Sequence, residues 1–464
     1  MSHTHRGCQS FHQTAFGRRS LLTAGAAGLL GLQMTGARGA ISGGVDLPVR
    51  AKRVIFLFQW GGPSHLDTFD LKPDAPAEIR GPLAAIPSVV PGLPVSEHFP
   101  EMAKRMDRVT LIHSMTHTMK NHNSAGYYAL TGHAPPSDDQ RLRDSLDLWP
   151  AYGSVVDALR PNRGEIPTFV SFPHTIADGS VTPGQHASFL GKRHDPFFFS
   201  ENPAKKGFHL PQLALPADLE LSRMQRRRDL LRVVDQQAGL LERSGEVGGF
   251  DTAYDKAIGM LTSPAVKSAF NLEAEPQEVR DRYGPTSYGQ SCLLARRLVE
   301  AGVTFTTVYF DRSIGGRKID SGGWDTHGFD NTRMYEIVDK YHHPLTDQTL
   351  SVLLDDLEER GLIDDTLVVW VGEFGRTPKI NDNASRDHWP QCYTALLAGG
   401  GVKRGYVHGA SDAQGMFPAK HPVRPEDLAA TLYMLMGIDP ATEVHDLTGR
   451  PLSIAGKPVT EVIA

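Results

Sequence analysis

The chain has 464 residues, 40% of them hydrophobic and 22% charged, with a formal net charge of −5. That balance excludes a disordered chain and is enough for one large domain or two moderate ones. Residues 1–39 carry four arginines and no acid, which leaves −9 on the remainder, and a mildly acidic body argues against nucleic acid as a partner.

At the N-terminus, Gly17-Arg18-Arg19-Ser20-Leu21-Leu22 precedes a Gly/Ala/Leu-rich stretch to about Met34, and Ala37-Arg38-Gly39 puts small residues at cleavage-site positions. We read residues 1–39 as a twin-arginine export signal, 40–52 as a linker and 53–464 as a single domain. The expected partner is the twin-arginine export machinery, and the expected location is the periplasm or the cell-envelope side. No stretch is long and apolar enough for a permanent transmembrane segment. Cys8 leaves with the signal, and Cys292 and Cys392 read as two buried thiols rather than a disulfide framework.

The continuous apolar run Arg53–Trp60 predicts a central strand. It breaks at Gly61-Gly62-Pro63, and the loop beyond carries Ser64, His65, Asp67 and Asp70. Acids in such a loop also close Asx turns, so Asp67 has a second, purely local reading. Leu71–Phe99 is proline-rich and reads as a surface excursion, Phe99–Asp107 as a helix and Val109–Ile112 as a strand. A run with His113, His117, His122 and His133 follows. Imidazole is the commonest protein metal ligand, and one or two of the four are expected to be functional. Leu146–Phe270 reads as helices and loops around the sheet, with a helix at Ser154–Leu159 and a strand at Pro167–Phe172. Within it, amphipathic Ala217–Leu241 holds Arg226-Arg227-Arg228, read as a solvated face.

Ser287–Ala301 predicts a helix stopped by Gly302, and Val303–Phe310 a strand. The loop Gly322-Gly323-Trp324-Asp325-Thr326-His327-Gly328 then places a carboxylate and an imidazole within reach of one cation, although Asp325 could also cap the next helix. Asn331–Glu359 reads as a long helical stretch feeding through Gly361 into the strand Leu367–Val371. Just past that strand lie Gly372, Glu373, Gly375 and Arg376, and a polar loop later come Asp387, His388 and Trp389. Tyr393–Leu397 predicts a strand, Val402–Gly409 a hairpin-like piece with His408, and Pro425–Met436 a helix ended by Gly437. Alternation of strands and helices implies a mainly parallel sheet with right-handed crossovers.

Several phrases carry a family resemblance. Tyr128-Ala129-Leu130-Thr131-Gly132 resembles the end of the sulfatase signature, and Val368–Gly375 resembles the superfamily's apolar strand ending in Asp-His-Gly. With GGPSHLDTFD, GGWDTH, GEFGRTP, RDHWP and EDLAATLYMLMGID, the chain past its signal resembles the DUF1501 family of exported bacterial proteins, grouped with alkaline phosphatases and sulfatases. The resemblance implies an α/β fold, an alkaline phosphatase-like three-layer sandwich with a mainly parallel central sheet flanked by helices. It also implies a divalent metal, zinc first and manganese or iron next, as one or two ions. The chain departs from the pattern at two landmarks: His122 stands where the family's nucleophile is counted, and Phe374 where a metal-binding histidine is.

In a parallel sheet the strand ends share one rim. Acids crowded there repel one another unless cations or protons intervene, and two ions about 4 Å apart could clamp a phosphoryl or sulfuryl oxygen. The sequence thus predicts a hydrolase of phosphate or sulfate esters. Asp325, His327 and His388 would serve one ion, and Asp67, Glu373 and His122 another, with Asp387 a further candidate ligand. Arg376 would hold the anionic substrate. A metal-activated hydroxide would attack, or Ser124, with Asn123 at the oxyanion. The substrate would be a small anionic ester or a sulfated or phosphorylated glycan. The competing reading is a catalytically inactive exported binding or scaffold protein of the same fold, with Trp60, Trp324 and Trp389 available to stack on a sugar.

Overall fold

The computed structural model describes residues 45, 47–162, 166–210, 259, 263–311, 314, 323–328, 333–454 and 456–464, all within the unit Ile41–Ala464. The proposed export signal and the predicted helix Ala217–Leu241 lie outside the described residues.

The central sheet has eight strands: β1 (Arg53–Phe58), β2 (Val109–Met115), β3 (Phe169–Phe172), β4 (Phe197–Phe198), β5 (Phe305–Tyr309), β6 (Thr366–Val371), β7 (Tyr393–Ala398) and β8 (Tyr406–His408). Their order across the sheet is β8-β2-β7-β6-β1-β5-β3-β4. β7 is antiparallel to both its neighbours, and every other pairing is parallel.

Side chains alternate across a strand, so a strand buried on both faces needs apolar residues in both registers. β1 meets this condition. Ile55 and Leu57 join one apolar cluster while Val54, Phe56 and Phe58 join the other. β6 repeats it with Val368 and Trp370 against Leu367, Val369 and Val371. Among the described residues, five longer helices cover the faces: α1 (His122–Thr131), α2 (Tyr152–Leu159), α3 (Ser287–Glu300), α4 (His343–Glu359) and α5 (Pro425–Leu435). α3 and α4 pack Leu293, Leu298, Leu350 and Leu357 on the Ile55 face; α1, α2 and α5 pack Leu130, Val155 and Leu432 on the other. The fold is therefore α/β, three layers deep around a mainly parallel sheet, as expected.

Local chemistry sets several boundaries. Thr286 Oγ1 accepts from the Gly289 amide at 3.1 Å and starts α3. Pro425 opens α5, and Gly437 at φ 74° follows its end. The helical stretch predicted over Asn331–Glu359 is helical from Met334 on, as a short helix Met334–Ile337, a π-turn Val338–His342 and α4. Pro344 has no N–H to give to the preceding turn, and the wider turn absorbs the mismatch. The helix predicted at Phe99–Asp107 covers only Pro100–Ala103, with a 3-10 turn at Met106–Arg108. The hairpin-like reading of Val402–Gly409 gives way to β8, which pairs parallel to β2.

Because only β7 is reversed, its start lies at the rim where β1, β2, β5 and β6 finish. Four loops and the lead-in to β7 therefore meet there.

Candidate metal centre

The side chains at this rim arrive from four separate segments. His122 opens α1, after the loop that leaves β2. Asp325 and His327 lie in the loop beyond β5. Glu373 follows β6 after one glycine, and His388 lies in a short antiparallel ribbon, Gly375–Arg376 with His388–Trp389, just before β7.

His122, Asp325, His327 and His388 each bring one donor atom into a group lying within 4.8 Å of one another. The three Nε2 atoms converge on Asp325 Oδ1, at 3.4 Å from His122, 2.7 Å from His327 and 3.3 Å from His388. The Nε2 atoms of His327 and His388 are themselves 2.8 Å apart.

The opposite ring nitrogens explain why. His122 Nδ1 donates to Glu373 Oε1 at 2.9 Å, His327 Nδ1 to Asp387 Oδ1 at 3.1 Å and His388 Nδ1 to the Lys120 carbonyl at 2.8 Å. With each Nδ1 protonated, neutral rings present three Nε2 lone pairs to one another and to a carboxylate oxygen. Lone pairs at 2.8 Å repel unless a positive charge lies between them, so the site requires a proton or a metal ion. Imidazoles held by carboxylate and carbonyl partners, with Nε2 turned inward, form a donor set that could hold a divalent metal ion. His122 Nε2 is buried with no well-formed hydrogen bond, facing Asp325 Oδ1 at 3.4 Å.

The titration of His122 supports the same account. Burial pulls its pKa down, but Asp325 and Glu373 outweigh burial and raise it to about 9. Burial and the His122 charge together push His388 well below its usual value. Asp325 is held well below the carboxylate range by the three imidazoles despite its burial. Burial raises Glu373, opposed by His122. The ion-free chain thus keeps a proton on His122 below about pH 9, and an entering cation must displace it. Uptake at neutral pH should release about one proton per ion, read calorimetrically in buffers of different ionisation enthalpy. Affinity should weaken about tenfold for each pH unit below about 9, and a flat profile would contradict this picture.

The DUF1501 family, described as "Protein of unknown function (DUF1501)", matches residues 51–463. The chain belongs to this family. No curated protein matches it. Among solved structures, this DUF1501 chain is similar to the PsFucS1 sulfatase from Pseudoalteromonas sp., at 13% identity over 89% of this chain and 72% of that one, with a TM-score of 0.41. It is similar to a protein of the alkaline phosphatase superfamily from Vibrio parahaemolyticus, at 11% identity over 91% and 73%, TM-score 0.40. It is also similar to the C-terminal periplasmic domain of EcEptC from Escherichia coli, in complex with Zn, at 9% identity over 91% and 98%, TM-score 0.38.

The DUF1501 rim does not gather every residue singled out in the sequence. Asp67 is fully buried, but its carboxylate is paired with Arg386, at 2.7 Å to Nε and 3.3 Å to Nη2, and accepts from Tyr335 at 3.2 Å. It is committed to that ion pair and stands outside the tetrad. Glu373 is one step back from the ion: its Oε1 accepts from His122 and from the Gly61 amide at 2.8 Å. Asp387 likewise supports His327 from outside. The described residues therefore bring together one candidate cation site, where one or two ions were expected.

Ser124 and Asn123 are also committed elsewhere. Ser124 Oγ lies against the Ser137 and Asp139 carbonyls and accepts from the Asp139 amide at 2.7 Å. Asn123 Nδ2 donates to the Asp178 carbonyl at 3.0 Å and its Oδ1 accepts from Thr182 at 2.6 Å. These bonds pin α1 to the 137–142 and 178–182 loops rather than aim an oxygen at the tetrad. Arg376 is fully buried and satisfied inside the protein, so it cannot reach out to a substrate.

Of the other histidines, His117 donates to the Glu373 carbonyl at 2.6 Å and accepts from Met119, while burial lowers its pKa to about 4. His113 faces Asp70, His133 stacks on Trp149 and His408 packs near His421. Trp60 and Trp324 are each 1% exposed and wall the site rather than offer a stacking face. Phe374 packs under the imidazoles, its ring centroid 4.2 Å from that of His388 and 5.1 Å from that of His122. Cys292 and Cys392 are both buried and free.

Three supporting roles escaped the sequence reading: Lys120 through its carbonyl, Arg386 and Gly61. Gly61 has φ +105°, and a Cβ there would fall 2.2 Å from the Asp325 amide, so only glycine lets the β1 loop approach that closely. Gly61-Gly62 was visible as a turn signal, but a carbonyl's role leaves no trace in composition.

Proposed function

We propose that this chain is an exported hydrolase of phosphate or sulfate esters that depends on one divalent cation of the zinc, manganese or iron class. The observation that carries the reading is the convergence of three outward-braced imidazoles and one carboxylate on a common point. The paired arginines of the N-terminal sequence support export. A cation bound there supplies Lewis acidity toward an ester oxygen and lowers the pKa of water.

The chain's own residues do the rest. Glu373, Asp387 and the Lys120 carbonyl keep the three rings turned with Nε2 inward, so no reorganisation is needed when substrate arrives. Trp60 and Phe374 exclude water from the floor, while the side chains of His327 and His388, 19% and 20% exposed, mark the open side. Ser124 being bonded elsewhere, the attacking oxygen is that of water. Asp387, 49% exposed at the mouth, is placed to exchange protons with solvent while it steadies His327.

One observation favours the second reading, a metal-stabilised binding or scaffold protein. Four protein donors can close the coordination of a tetrahedral ion, as in structural sites. On that reading Trp389, partly buried and 5.8 Å from half-exposed Phe417, is the available sugar-stacking surface. The test is a panel of aryl phosphates, phosphodiesters and aryl sulfates offered to the metal-loaded protein. We expect turnover on at least one class, abolished by a chelator and restored by the ion. Stoichiometric metal with no turnover on any of them would leave the scaffold.

A further inference from the structure

A fully buried guanidinium is costly unless its donors are met. Arg376 meets them unusually well: Nε donates to the Gly62 carbonyl at 2.9 Å, Nη1 to that of Arg386 at 3.2 Å, and Nη2 to those of Gly61 and Trp324, the latter at 3.0 Å. Nη2 also donates to Asp325 Oδ1 at 2.9 Å, the same oxygen on which the three imidazoles converge. The four carbonyls come from three loops, those after β1 and β5 and the one joining β6 to β7. One planar group thereby sets the spacing between the segments that carry Asp325 and His388.

We infer that Arg376 is a positioning residue that stands in for a second metal ion, a permanent monocation on the Asp325 oxygen that leaves room for one exchangeable dication. This rests on the reading that His122, Asp325, His327 and His388 take a metal ion. The charges agree with it. Asp325, Glu373 and Asp387 contribute three negative charges, which Arg376 and one dication cancel. A second dication would leave two uncompensated positive charges in a largely buried place, which low-dielectric surroundings penalise heavily. Lysine cannot replace the fork, being a point charge with no planar array of donors.

The experiment combines metal stoichiometry with a spectroscopic readout. Wild-type protein, Arg376→Lys and a control, Arg296→Lys, are titrated with Co2+ and Zn2+ by equilibrium dialysis, and the Co2+ absorption spectra are compared. Arg296 is an equally buried guanidinium paired with Glu275 and Asp356 away from the rim. We expect one ion per wild-type chain. Arg376→Lys should weaken binding roughly 10- to 100-fold, the range seen when outer partners of ligands are lost, and shift the Co2+ bands. Arg296→Lys should lower thermal stability with affinity and spectrum unchanged. Two ions bound to the wild type would overturn the inference even if Arg376→Lys fails to fold. So would wild-type affinity and an unaltered spectrum in Arg376→Lys. No ion in the wild type is a different failure, that of the metal reading itself.

Discussion

Replacing His327 by alanine is expected to strip the purified protein of its cation, with affinity falling about 100-fold or more. Loss of an outer partner alone costs roughly 10- to 100-fold, and His327 offers a donor directly. Its Nε2 lies 2.7 Å from Asp325 Oδ1 and 2.8 Å from His388 Nε2, so its removal opens the tetrad at its tightest point. The fold should survive, because the ring is partly exposed and outside both apolar clusters. Elemental analysis of the wild type and variant after identical purification checks this. An equal metal content in the two would remove the tetrad as the binding site.

The second large effect concerns stability. Asp67 and Arg386 have no exposed side-chain surface and are paired at 2.7 Å. Removing one partner leaves an uncompensated buried charge, and Arg386→Ala is expected to cost about 3–5 kcal/mol. A double replacement, Asp67→Leu with Arg386→Met, should recover much of that, since neither charge is then stranded. Urea unfolding midpoints of the three proteins measure it. The same series bears on the cation: Asp67→Asn should leave metal stoichiometry unchanged, and loss of an ion in that variant would return Asp67 to the ligand set.

The strands were legible because burial on both faces leaves an unmistakable record. Arg53–Trp60 and Leu367–Val371 are continuous apolar runs, and β1 and β6 occupy them within two residues. Helix ends signalled by Gly302, Pro425 and Gly437 were equally readable. The site was legible by type but only partly by partner. Asp325, His327 and His388 follow from the shared rim of a parallel sheet, a topological rule. His122 was distinguished from His113, His117 and His133 by its count from Gly132, not by any local property. What could not be read was which acid joins the imidazoles and which meets an arginine. Asp67 and Arg386 are 319 positions apart, and Arg386 sits beside Asp387 with nothing local to assign its charge to Asp67. Saturation of Ser124, Asn123 and Arg376 by backbone carbonyls was invisible for the same reason, since a carbonyl belongs to every residue type alike.

The excursion 377–387 is clamped at both feet by the ribbon that holds Arg376 and His388, and its exposed crest is Asp382, Asn383 and Ala384. Residues could be added at that crest without disturbing either anchor. Chain length can therefore change there while the ribbon keeps Arg376 and His388 in register.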